Sequence, residues 1–199
     1  MAEPDRSTLE GQRDHALLAF LYNTGARIQE ALDVCPNSLR LEAPAQVRLV
    51  GKGRKERLCP LWPETTALLR ALLQRRPRQP DQRIFLNRYG EPPGAAGVRF
   101  KLAQYVKRAQ KKVPSLAAKR VSPHTFRHTT AVHLVAAGVD VTVIRSWLGH
   151  ARLDTTNHYA RASIETKRKA LEKVAGASRV GQAPRWKRKA DLMAWLDSM

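Results

Sequence analysis

The chain has 199 residues, 43% of them hydrophobic, which suits one globular domain with a real core and is too short for two full ones. Lysine and arginine total 36 against 17 acids, a formal net charge of +19, so a polyanionic partner is expected, with nucleic acid ahead of an anionic membrane surface. No run of about 20 apolar residues, signal peptide or lipidation signal is present, so we expect a soluble, cytoplasmic chain with no membrane partner.

Residues 1–10 form a polar leader. Leu17, Phe20 and Leu21 then fall at helical spacing and predict a helix over 12–23. Thr24-Gly25 breaks it, and Ala26 to Val34 reads as a second helix with Ile28, Ala31 and Leu32 inward, ended by Cys35-Pro36-Asn37. Three strand-like runs follow: SLRLE (38–42), QVRLV (46–50) and ERLCPL (56–61). The last two flank Gly51-Lys52-Gly53-Arg54-Lys55, which reads as a hairpin turn. Pro63 suits the first position of a helix through ETTALLRALLQRR. A proline-rich break at Pro77–Pro80 precedes IFLN (84–87), read as a short strand, and residues 95–112 read as a basic helix.

From Pro123 a helix runs to Gly138, a good C-cap, and VTVIRSWLG forms a shorter one between Asp140 as N-cap and Gly149 as stop. LDTTNHYA reads as a short helix or turn, and SIETKRKALEKV as a longer helix capped by Ser163. Residues 176–185 read as a linker, and 186–198 as a small helix with an apolar stripe of Trp186, Ala190, Met193 and Leu196. The expected fold is mainly α with a small antiparallel sheet, without internal repeats. Cys35 and Cys59 lack C-x-x-C spacing and read as free thiols, buried or half-buried.

Taken singly, the polar residues say little. Arg27 after a turn and Lys52 in a hairpin are ordinarily solvated charges, and Tyr159 alone is ordinarily a half-buried aromatic. His124 and His128, at i and i+4 with His133 nearby, hint at a metal, but no H-E-x-x-H accompanies them, so neither metal nor cofactor is expected. The set is more informative than its members. It runs Thr24-Gly25-Ala26-Arg27, Gly51-Lys52-Gly53, His124-Thr125-Phe126-Arg127, Leu148-Gly149-His150, and Tyr159 nine residues later.

This ordered combination, over roughly 11–175, resembles the tyrosine recombinases, which include phage integrases and Xer-type recombinases. The resemblance implies the fold of their catalytic domain and a site-specific recombinase or integrase that cuts and rejoins double-stranded DNA through a 3′-phosphotyrosine. It implies Arg27, Lys52, His124, Arg127, His150 and Tyr159 as catalytic residues. The physical chemistry agrees. Attack on a phosphodiester builds charge on the non-bridging oxygens, and arginine forks such as Arg27 and Arg127 clamp those oxygens as lysine cannot. His124 and His150 add hydrogen bonds, and one of them helps move the tyrosine proton. Lys52, or its rival Lys55 in the same hairpin, protonates the leaving 5′ oxygen. Tyr159 is the nucleophile. The covalent link keeps the bond energy, so neither ATP nor a metal is required. Glu30, one turn after Arg27, resembles an acidic family position and reads as orienting Arg27.

Residues 99–121 hold Arg99, Lys101, Lys107, Arg108, Lys111, Lys112, Lys119 and Arg120 without an acid, a surface suited to tracking a phosphate backbone. The resemblance further implies a homo-oligomer on DNA, a tetramer, with room for a partner recombinase, in a bacterial, nucleoid-associated setting. The 186–199 segment packs on its own domain, docks on a neighbouring subunit, or stays disordered. Most family members carry a helical core-binding domain ahead of the catalytic one, and here it is expected to be missing. That leaves an alternative, a DNA-binding accessory or truncated remnant that does not recombine DNA alone. A type IB topoisomerase-like enzyme would share the same chemistry.

Overall fold

A computed structural model describes residues 3–149 and Glu172. The described chain is mainly helical with one small antiparallel sheet. The Thr8 hydroxyl accepts the Gly11 N–H at 3.0 Å and caps α1 (Leu9–Thr24), which therefore starts ahead of the 12–23 expected. Gly25 ends α1 in the left-handed region, φ 60, and a Cβ there would stand 2.5 Å from Leu148 Cδ2. The second helix, α2 (Ile28–Leu32), is shorter than the predicted 26–34. Arg27 holds extended backbone, φ −66 and ψ 150, and acts as a cap rather than a helical residue.

Strands β1 (Leu39–Arg40), β2 (Gln46–Val50) and β3 (Glu56–Pro60) pair antiparallel in that order. β1 keeps only two residues of SLRLE, whose serine belongs to a 3₁₀ turn over Pro36–Ser38. The β2–β3 hairpin is as expected, with Val47 opposite Cys59 and Leu49 opposite Arg57. Its tip, Lys52–Arg54, is tight: Gly53 and Arg54 both have positive φ, and the Gly51 N–H donates to Lys55 O at 2.8 Å.

Helix α3 (Pro63–Arg75) opens on its proline. The IFLN run is not a strand. Ile84 and Phe85 are fully buried in a loop, where the Ile84 N–H donates to Val34 O at 3.0 Å and the Phe85 ring meets Phe20 edge-on at 5.9 Å. Helix α4 (Ala95–Ala109) turns Val98, Leu102 and Tyr105 inward. Helix α5 (Pro123–Ala136) is capped by Ser122, and α6 (Val141–Leu148) by Asp140, whose carboxylate also takes the Thr142 hydroxyl. Gly149 stops α6 at φ 69, as expected.

Helix α1 lies in the middle, packed against α3 and α5. Phe20, Leu21, Leu32, Val47, Leu49, Leu69, Leu134, Ile144, Trp147 and Leu148 form the core with it. Each such side chain contributes about 1.5–3 kcal/mol through burial. A smaller cluster of Leu18, Leu102 and Tyr105 joins α4 to α1. Cys59 is buried and Cys35 half-buried, both as free thiols. Among the described residues no helix is long and apolar enough to cross a membrane.

Candidate active site

The turn after α1 is locked from several directions. The Asn23 carboxamide donates to Pro60 O at 3.2 Å and accepts the Trp62 N–H at 2.8 Å, tying α1 to the end of β3. The Thr24 hydroxyl donates back to Phe20 O and accepts the Ala26 N–H. The Thr130 hydroxyl donates to Tyr22 O at 2.6 Å, anchoring α5 on the same turn. Arg27 leaves this platform with its side chain 45% exposed, held by one bond from Nη1 to Glu30 Oε1 at 2.9 Å. Its backbone N–H donates to Glu30 Oε2 at 2.9 Å. The orienting role expected for Glu30 matches this geometry.

Arg127 approaches from below. It is 3% exposed, and its terminal nitrogens donate to Gly25 O at 2.7 Å and Leu148 O at 2.6 Å. One guanidinium thus bridges the turn before Arg27 and the end of α6, just ahead of His150. The fork that sequence reasoning assigned to a phosphate is thus also engaged with the fold. Burial, then the nearby positive charges of Arg27 and Arg57, push its pKa down to about 10, so it stays charged at neutral pH.

Arg57 was not singled out from the sequence. Its Nη2 donates to Glu30 Oε2 at 2.5 Å and its Nε to Trp147 O at 3.0 Å. Burial works against the Glu30 carboxylate, but hydrogen bonds and charge from Arg57, aided by Arg27, outweigh it and hold its pKa below the ordinary value. The signal available was strand parity. Arg57 shares its face with the buried Cys59 and pairs with the buried Leu49.

The remaining candidates are placed less completely. Lys52 is exposed at the hairpin tip, next to Gly51, whose Cβ position lies 3.1 Å from Glu30 Oε1. Lys55 is exposed in the same tip. His124 is exposed on the first turn of α5, three residues before Arg127. His150 and Tyr159 lie outside the described residues, as do the elements expected beyond Gly149 and the 176–185 linker. The structure therefore brings Arg27, Glu30 and Arg127 together, places Lys52 exposed at the hairpin tip and His124 exposed on the first turn of α5, and does not describe His150 or Tyr159. Among the described residues no group of three or more His, Cys, Asp and Glu side chains is placed to hold a metal ion.

The basic segment is a surface. Arg99, Lys107, Arg108, Lys111, Lys112, Lys119 and Arg120 are all exposed. Acids distant in sequence temper it at two points, where Lys112 meets Glu3 at 3.1 Å and Lys101 meets Glu10 at 3.8 Å.

The sequence and the fold are similar to those of known proteins. The family model described as "Phage integrase family" matches residues 1–166. The y4rC protein of Sinorhizobium fredii, named as an integrase/recombinase, is 40% identical over 200 residues, covering all of this chain and 59% of that one. Tyrosine recombinase XerC of Chlamydia caviae is 34% identical over 176 residues, 86% of this chain and 54% of that one. Among solved structures, the XerH site-specific recombinase in a post-cleavage complex with palindromic difH substrate superposes with a TM-score of 0.62 at 26% identity, over 88% of this chain and 48% of that one. The XerA recombinase superposes equally well, TM-score 0.62, at 24% identity, over 86% of this chain and 60% of that one, a likeness of fold. The chain belongs to the phage integrase family, whose tyrosine recombinases it resembles in sequence and fold. It spans between half and three fifths of the length of these two curated relatives.

Proposed function

We propose that this chain carries the strand-transfer domain of a site-specific DNA recombinase, acting on double-stranded DNA through Tyr159. One observation carries the reading. Arg27 and Arg127, a hundred positions apart, meet at a single turn, where one is exposed beside Glu30 and the other is buried beneath it. Such preorganised positive charge is what a phosphoryl-transfer transition state requires.

The step follows from the residues. The Tyr159 oxygen gives up its proton, aided by His124 or His150, and attacks phosphorus. A Tyr159–phosphate bond forms to the 3′ end, the bond from phosphorus to the 5′ oxygen breaks, and Lys52 supplies that oxygen with a proton. Arg27 and Arg127 stabilise the charge on the non-bridging oxygens. A 5′ hydroxyl from a second strand reverses the step, giving exchange between DNA molecules held in a tetramer. The domain on this reading runs over 11–175, and the exposed lysines and arginines of 99–121 track the flanking backbone.

The test is capture of the intermediate. The protein is incubated with a library of nicked duplexes of random sequence, and strands that stay attached after denaturation are recovered. Enrichment of a defined site supports recombination. Sequence-specific binding without attachment would replace this reading with that of an accessory protein, and attachment without sequence preference would favour a topoisomerase-like activity.

A further inference from the structure

We infer that Arg57 is a positioning residue for this reaction, one that sets Arg27 through Glu30; the inference rests on the strand-transfer reading above. Arg57 lies on the inward face of β3, with its side chain 7% exposed. A charge so placed is costly unless every bond is well made, and an apolar residue of similar volume would ordinarily serve stability as well. What the charge provides here is geometry. The Glu30 carboxylate is shared: Oε2 takes Arg57 Nη2 and the Arg27 N–H, and Oε1 takes Arg27 Nη1. Arg57 thereby fixes the rotation of the carboxylate, and the carboxylate fixes the exposed guanidinium of Arg27.

The same side chain reaches the other pieces of the site. Its Nε holds Trp147 O, one residue before the carbonyl that Arg127 holds. Gly149 lies flat on it, so that a Cβ there would stand 3.0 Å from Nη1, 3.1 Å from Cδ and 3.3 Å from Cζ. Gly51, which precedes Lys52, is packed close as well, its Cβ position 3.6 Å from Arg57 Nη1. One buried guanidinium–carboxylate pair thus underlies the entry to α2, the base of the hairpin and the exit of α6. A lysine cannot replace it, because a single ammonium does not hold a carboxylate and a carbonyl in one plane.

The test compares wild type, Arg57→Lys, Arg57→Met and Arg27→Ala in single-turnover cleavage of the nicked duplex recovered by the capture experiment. Each variant's melting midpoint and DNA affinity are measured alongside. Arg57→Lys is expected to bind DNA within about 3-fold of wild type and to cleave about 100-fold more slowly, a loss confined to the transition state. A second duplex carries a methylphosphonate at the scissile position, which removes the charge that Arg27 meets. On it the deficits of Arg57→Lys and Arg27→Ala should both shrink to about 10-fold or less, because the missing group no longer has a charge to stabilise. Should the Arg57 variants not fold, Glu30→Gln, which keeps the side-chain shape, must show the same selective rescue. Equal slowing on both duplexes, or an unchanged rate, overturns the inference while leaving strand transfer intact. Absence of any attached strand with the wild-type chain overturns strand transfer and this inference with it.

Discussion

Arg127 is a charge kept in the interior because its hydrogen bonds hold two carbonyls that the fold must bring together. Replacing it with lysine keeps the charge but loses the fork. The expected result is a loss of about 1–3 kcal/mol in denaturant unfolding, from a buried carbonyl left without its donor. Strand attachment is expected to fall about 100-fold or more. A second residue-scale prediction concerns His133, whose Nδ1 lies 2.5 Å from the Tyr22 hydroxyl. Burial lowers the histidine's pKa, so the folded state favours the neutral ring beside the tyrosine. Its contribution to stability is therefore complete above the ordinary histidine pKa, about 6.5, and is lost as pH falls through the lower folded value. Melting midpoints measured from pH 7.5 to 5 should drop at the acid end, and His133→Gln should flatten that drop. At this scale Arg27, Glu30 and Arg127 were legible from motif spacing. Arg57 was not, because Leu58 beside it is the apolar residue of the pair, and yet Leu58 faces outward, 43% exposed. Hydrophobicity alone assigns that strand's faces the wrong way round.

The elements owe their positions to their ends as much as to their faces. The α1 helix, the β2–β3 hairpin, α3 and α6 were legible because periodicity and caps agree: Thr24-Gly25, Gly51 to Lys55, Pro63, and Asp140 with Gly149. Three readings failed for physical reasons. Arg27 is drawn into extended backbone by its bonds with Glu30, which shortens α2. The IFLN run carries a strand's composition, but Ile84 and Phe85 are buried as a loop plugged against α1 rather than paired in the sheet. SLRLE alternates like a strand, but Pro36 draws its serine into a turn. The caps give the sharpest element-scale prediction. Gly25→Ala places a methyl against Leu148 Cδ2 and forces alanine to φ 60. A loss of about 1–3 kcal/mol is expected from the strained backbone alone, read by chemical denaturation. Strand attachment should fall with it, since Gly25 O is also a ligand of Arg127.

Over the whole molecule the charge is strongly positive. The net +19 predicted a polyanionic partner, and the exposed residues of 99–121 give that charge a surface. Neutralising Lys107, Lys111 and Lys119 to glutamine together should lower the slope of log affinity against log salt by about 2–3, near 0.9 for each phosphate no longer neutralised. Lys112→Gln should change it less than Lys111→Gln, because Lys112 already meets Glu3. Filter binding at several salt concentrations measures both. The central claim, however, concerns a bond. Peptide mass spectrometry of the protein–DNA adduct from the nicked-duplex experiment should find a 3′-phosphate joined to Tyr159, and Tyr159→Phe should give no adduct. A 3′-phosphate on any other residue, or an undiminished adduct with Tyr159→Phe, would contradict the account.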